Sequence, residues 1–340
     1  MRYPKSLQKG GRIGFIAPSF GCSIQPYETR FNNALKTFHN LGYKTIEGPN
    51  ARAGKGIGIS NTPMACGAEV NDFFINDRSD VIISCGGGEL MCEDLPYIDF
   101  VSIKKATPKW YLGYSDNTNL TFTLPTICDI AAIYGPCASD FGMSPWHESI
   151  EDAFKVLTGE KTSFSNYDGW EIDWPEGETN PLAPFSITQL YSQVIFGADE
   201  VHLEGRLIGG CMDVLENIIG TPFDYVSDFN ERYREDGIIW FLESCDLNVM
   251  SIRRTLWHMK QAGWFKYVNG FLIGRPLKYD DEFDGFRPHE AVTGVLSDFG
   301  VPIVMDIDLG HLSPQIPFVS GGYGHVDAVG NKFGIKYDMK

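Results

Sequence analysis

A chain of 340 residues exceeds the size at which a single hydrophobic core stops growing, about 250 to 300 residues, so two domains are expected. With 43% hydrophobic and 21% charged residues it has the composition of a folded globular protein and not of a disordered one. Its 28 basic and 44 acidic side chains leave a net charge of −16, which repels phosphate backbones and anionic lipid and argues against nucleic-acid or membrane binding.

No run approaches the roughly 18 apolar residues of a membrane-spanning helix. Near the N-terminus only Ile13 to Ala17 are apolar before Pro18 interrupts, too short for a signal peptide, so a cytoplasmic location is expected. Eight cysteines, at 22, 66, 85, 92, 128, 137, 211 and 245, form neither a CxxC pair nor a zinc-spaced cluster with histidine. They read as free, mostly buried thiols, and no metal site is expected.

Along the chain, Arg12 to Ala17 form a short apolar run closed by Pro18-Ser19. From Pro26 onward, apolar residues at 27, 31, 34, 35, 38 and 41 follow a helical period that Gly42 ends. A second helical stretch covers about 67 to 76, and Asp80 to Cys85 then read as a buried strand running into Gly86-Gly87-Gly88. Trp110 to Ser115 form the next strand, and Asp116-Asn-Thr-Asn opens a helix that Asp116 or Asn117 could cap. Strands alternating with helices predict an α/β fold with a parallel sheet.

Between about 160 and 190 the chain turns acidic and turn-rich, which marks a junction. The expected division is a first domain over 1–165, a linker over 166–185 and a second domain over 186–340. The second has strand-like runs at 202–208, 237–242, 270–273 and 302–305, with one clear helix near 250–262, and so reads as β-rich. Gly321 to Gly324 and Gly330-Asn-Lys read as turns flanking a short strand.

Ser115 stands where a strand stops and a helix starts, in Gly113-Tyr-Ser-Asp-Asn117. A hydroxyl there faces helix-terminal amides that stabilise developing negative charge, although a helix-capping serine accounts for the same pattern. The nucleophile elbow of α/β-hydrolases is Gly-x-Ser-x-Gly, and Asn117 stands at its second glycine. A serine nucleophile needs a base. Among seven histidines, His39 and His258 lie on predicted helices, while His311 sits in a glycine-preceded loop and His325 is its nearest competitor. The base in turn needs a carboxylate. Glu243 ends the apolar run Gly237 to Leu242, where a charge is costly without a partner; Asp246, Asp306 and Asp308 are substitutes. The Gly86 to Gly88 turn could bring backbone amides against an oxyanion, or serve as a nucleotide phosphate loop, though no GxGxxG or GxxxxGK[ST] pattern is present. Cys85 is a second conceivable nucleophile with no basic neighbour in sequence.

Taken together, Ile13-Gly-Phe-Ile-Ala-Pro-Ser19, Leu41-Gly-Tyr43, Ile82-Ile-Ser-Cys-Gly-Gly87, Gly113-Tyr-Ser-Asp-Asn-Thr118, Gly205-Arg-Leu-Ile-Gly-Gly210, Phe241-Leu-Glu243, Gly274-Arg-Pro276 and Leu309-Gly-His311 resemble the landmarks of the S66 serine peptidases. That family contains the LD-carboxypeptidases and the microcin C immunity proteins. The resemblance implies a Rossmann-like N-terminal domain carrying the serine and a β-rich C-terminal domain carrying glutamate and histidine. It also implies a homodimer without metal or organic cofactor. The implied triad is Ser115, Glu243 and His311, with oxyanion donors from Gly87 or Gly88 together with Asp116.

The implied substrate is a small peptide, cut at the L,D bond of a murein tetrapeptide, or an aminoacyl-nucleotide amide. Two positions depart from the LD-carboxypeptidase pattern: Cys85-Gly-Gly-Gly-Glu89 stands where Arg-Gly-Gly-Tyr-Gly is common, and Cys211 where asparagine often follows the later glycine pair. Length and the tryptophan-bearing junction look more like the immunity branch, in which a tryptophan stacks on the nucleotide base. Trp170 or Trp174 is the candidate, the alternative being an aromatic that fastens a linker to the core. Arg275 is a candidate for a substrate carboxylate. The rival functional classes are a nucleotide-binding oxidoreductase and a non-catalytic two-lobed binding protein.

Overall fold

The computed structural model describes residues 1–173 and 179–339. Five parallel strands form the first sheet: β1 (Arg12–Ile16), β2 (Lys44–Glu47), β3 (Val81–Ser84), β4 (Trp110–Gly113) and β5 (Ala132–Tyr134). Their spatial order is β5-β4-β3-β1-β2. Residues 81–84 and 110–113 are buried throughout, as expected of strands covered on both faces by crossover helices. The helix Tyr27–Asn40 buries Phe31, Ala34 and Phe38, one helical stripe, and its Phe31 and Phe38 rings pack 5.4 Å and 5.8 Å from that of Phe15 on β1.

After β6 (Ser163–Ser165), the pair β7 (Gly169–Trp170) and β8 (Gln189–Leu190) forms a separate two-stranded sheet. The remaining strands are β9 (Val194–Phe196), β10 (Glu200–Cys211), β11 (Ile238–Glu243), β12 (Val268–Gly274), β13 (Ile303–Ile307), β14 (Phe318–Ser320), β15 (Tyr323–Val329) and β16 (Lys332–Asp338). All but β14 join β6 in an eight-stranded sheet ordered β6-β16-β15-β10-β11-β12-β13-β9. Its centre, β10 to β13, is parallel. Parallel neighbours need crossover connections, which accounts for helices beyond the one expected near 250–262: Met212–Ile218, Val226–Arg232 and Pro288–Leu296 accompany Val249–Gln261.

β14 crosses back. It pairs antiparallel with β5 and completes the first sheet, so the segment between β13 and β14 bridges the two sheets. A common hydrophobic core joins them, running from Phe15 and Phe31 to Phe241, Val304 and Tyr337. Phe241 of β11 lies 5.1 Å from Phe318 of β14 and 5.8 Å from Tyr134 of β5, between ring centres. Among the described residues no helix is long and apolar enough to cross a membrane.

Candidate active site

Ser115 leaves the carboxyl end of β4 with φ = 57°, opening a 3-10 turn (Ser115–Asn117) and the helix Thr118–Thr123. The left-handed region costs a residue with a Cβ about 1 to 2 kcal/mol, so the turn must be held from outside. Ser115 N–H donates to the Tyr134 hydroxyl at 3.0 Å. Its carbonyl accepts from the Thr118 hydroxyl, which itself accepts from Cys211 N–H at 3.0 Å. Neither Asp116 nor Asn117 caps the helix as expected. The Asn117 amide instead donates to the Gly86 and Tyr114 carbonyls at 2.9 Å and 3.0 Å, and its oxygen accepts from the Tyr111 hydroxyl at 2.5 Å. The residue in place of the elbow's second glycine thus ties the glycine turn to the serine turn.

Glu243, the last residue of β11, is 0% exposed. Its Oε2 lies 2.8 Å from His311 Nδ1, and His311 Nε2 lies 2.9 Å from Ser115 Oγ. With Nδ1–H donating to the carboxylate, Nε2 is left to accept the serine proton. The His311 side chain, 13% exposed, sits in the segment that bridges the sheets. Gly310 makes the approach possible: its φ is +102°, and a Cβ there would stand 2.6 Å from Glu243 Oε2. Burial works to raise the Glu243 carboxyl, but the charge of His311 and hydrogen bonds from His311, Tyr134 and Cys211 bring it below its usual value. Burial likewise works against the imidazolium, yet the Glu243 charge, with hydrogen bonds to Cys245 and Glu243, raises His311 well above its usual value.

Gly87 packs on the serine: a Cβ on it would sit 3.3 Å from both Ser115 Cβ and Oγ. Gly88 faces elsewhere, toward Ser19 Oγ and the Gly58 carbonyl. The Asp116 carboxylate accepts from the Ser19 hydroxyl at 2.5 Å and from Met91 N–H at 3.0 Å, and burial pushes it up to about 6 despite these bonds.

The remaining candidates are occupied elsewhere. Cys85 is buried, and that burial raises its thiol well above its usual value, which suppresses the thiolate. His325 is 39% exposed on β15, 3.0 Å from Asp338 and 3.4 Å from Glu204. Asp246 is exposed, Asp306 meets His289 at 2.8 Å, and Asp308 pairs with Arg275. Arg275, expected as a substrate cation, is 1% exposed, because it follows β12 into the core, where the Asp308 carboxylate pairs with it and the Asp306 carbonyl accepts from it. Trp170 is 5% exposed, under the Arg275 guanidinium and 5.1 Å from the Tyr279 ring. It borders a cleft of about 330 Å³ with Ile172, Leu277, Lys278, Tyr279 and Leu312, the residue after His311. Trp174 lies outside the described residues.

Sequence reasoning missed Tyr134. It ends the short buried run Ala132-Ile-Tyr before Gly135, and its hydroxyl lies 2.5 Å from Glu243 Oε1. A tyrosine closing a buried strand beside the serine strand was the available signal.

Residues 13–135 match the LD-carboxypeptidase N-terminal domain and residues 204–326 the LD-carboxypeptidase C-terminal domain. The microcin C7 self-immunity protein MccF of Escherichia coli is 27% identical over 98% of this chain and 93% of its own length. A probable murein peptide carboxypeptidase of Bacillus subtilis is 26% identical over 92% of this chain and 88% of its own. The fold matches the crystal structure of an MccF-like protein from Bacillus anthracis, with a TM-score of 0.83 at 24% identity over 99% of both chains. A structure of MccF in complex with glutamyl sulfamoyl guanosine matches with a TM-score of 0.83 at 23% identity, over 99% of this chain and 98% of that one. The chain belongs to the S66 peptidase family and is a serine hydrolase.

Proposed function

We propose that Ser115, His311 and Glu243 are the catalytic triad of an amidase that works through an acyl-enzyme. The observation that carries this reading is the unbroken chain Ser115 Oγ to His311 Nε2 at 2.9 Å and His311 Nδ1 to Glu243 Oε2 at 2.8 Å. Ser115 Oγ attacks the amide carbon as Nε2 takes its proton. Glu243 stabilises the imidazolium, which then protonates the departing amine. Water repeats the sequence on the ester, releasing the acid and restoring the serine. The amide of Gly87, a residue whose added Cβ would touch Ser115, and the Asp116 amide at the start of the helical turn stabilise the oxyanion.

The substrate is an aminoacyl-nucleotide amide. The cleft beside Leu312 supports this: Trp170 and Tyr279 supply aromatic surface for a nucleobase, and Lys278, Asp280 and Asp281 supply polar groups around it. A relative crystallised with glutamyl sulfamoyl guanosine adds support. Residues 1–165 are read as the serine domain, 166–185 as the linker and 186–340 as the domain of the base. The proposed assembly is a homodimer; exposed apolar Leu190, Val194 and Phe196 near the open edge strand β9 support it. A cytoplasmic location suits eight unpaired cysteines.

The test is mass spectrometry of products after wild type and Ser115→Ala are given aspartyl sulfamoyl adenosine and a murein tetrapeptide in parallel. Cleavage of the nucleotide conjugate by wild type alone is expected. Release of D-alanine from the tetrapeptide alone would move the substrate to the murein side, and turnover retained in Ser115→Ala would remove the triad.

A further inference from the structure

We propose that Tyr134 is a positioning residue that locks the serine turn to the triad carboxylate, an inference that rests on the triad reading above. The Gly113–Tyr134 register places it beside the strand end from which Ser115 departs. Its hydroxyl touches Ser115 N–H at 3.0 Å and Glu243 Oε1 at 2.5 Å. An amide N–H only donates, so the hydroxyl accepts there, and its single proton goes to Glu243. Burial, then the charge of Glu243, raises the phenol well above its usual value, so it keeps that proton.

Two consequences follow from the geometry. The Glu243 carboxylate is gripped on both oxygens, by Tyr134 on Oε1 and His311 on Oε2, which fixes its plane and hence the imidazole. The Ser115 amide is already engaged, which leaves the oxyanion to the Gly87 and Asp116 amides. Other groups facing the pair are the Cys211 thiol from β10 and the Cys245 thiol from the turn after β11, with Asp213 close to Cys211. Tyr134 alone among the described residues joins both the nucleophile's backbone and the carboxylate.

Tyr134→Phe keeps the ring contacts with Tyr114 and Phe241 and removes the hydroxyl. Without that donor the carboxylate holds the His311 proton more tightly, so the acid limb of kcat/KM moves to higher pH. At the optimum kcat falls about 10- to 100-fold with little change in KM, the scale of one hydrogen bond to a charged group. In a Glu243→Gln background the same change adds little. Nitrogen-15 NMR titration of His311 in the resting enzyme reads the effect without any substrate, so it is separable from failure of the triad reading, which Ser115→Ala tests. A 3,5-difluorotyrosine at position 134, a stronger donor, moves the His311 titration to lower pH and serves if the phenylalanine variant does not fold. An unmoved His311 titration, or full additivity with Glu243→Gln, would overturn the proposal.

Discussion

On the first sheet, Ser115 is delivered by backbone: a strand end, a φ of 57°, and a glycine turn tied down by Asn117. On the second sheet, Glu243 and His311 are delivered by charge: a carboxylate with 0% exposure whose cost is offset by an imidazole and a phenol. The serine side stores conformational strain, whereas the base side stores desolvated charge. Strain holds a hydroxyl in one position at any pH, while a buried ion pair also sets the proton affinity of the base. The work of the two halves differs accordingly, one aiming an atom and the other tuning a proton.

Glu243→Gln should give the largest effect. It keeps the shape and removes the charge, and on the proposed triad a kcat/KM loss of about 10³- to 10⁴-fold is expected, the scale known for serine-triad carboxylates. Because the Glu243 charge raises His311, the histidine should titrate at lower pH in this variant; an unmoved titration by NMR would break the charge side of the contrast. Asp94→Asn measures the desolvated charge that the serine side also carries, away from Ser115. Asp94 is buried in the 3-10 segment Met91–Tyr97, both its oxygens lack a hydrogen-bond partner among the described residues, and burial, then the charges of Asp116 and Glu93, push it up to about 9. From about pH 4 to that value the folded state holds a proton the unfolded state has released, so stability falls as pH rises. The asparagine variant should therefore gain about 4 kcal/mol at pH 7 and almost nothing near pH 4, read by urea denaturation at the two values. A gain equal at both would assign it to packing. The smallest effect compares Ser115→Gly with Ser115→Ala. Both lack the hydroxyl, but glycine adopts the positive φ freely, and its urea midpoint should exceed that of alanine by about 1 kcal/mol equivalent. Equal midpoints would deny the strain.

The buried strands at 81–84, 110–113 and 238–243 were legible because uninterrupted apolar runs between turn residues leave little else to form. Ser115 and Glu243 were legible for the same reason, as polar residues at strand ends. His311 stood out only as a histidine in a glycine-preceded loop, with His325 as competitor, and the family resemblance separated the two. Tyr134 stayed hidden because its partners lie 19 and 109 residues away, and a tyrosine on a buried strand reads as core. Arg275 misled for a related reason: the carboxylate that neutralises it is 33 residues on, so a buried ion pair read as a free cation. Seven-residue helices such as Met212–Ile218 are too short to show a period.

The three residues of β14 also set a clock. The serine-bearing sheet emerges from the ribosome well ahead of the rest, yet β5 keeps an unpaired edge until residue 320 is available to close it. The loop that presents His311 is fastened at its far end by that same closure. A nascent or prematurely terminated chain therefore exposes the Ser115 turn without His311, and, on the proposed triad, hydrolytic competence arrives in one late step of synthesis instead of accumulating domain by domain.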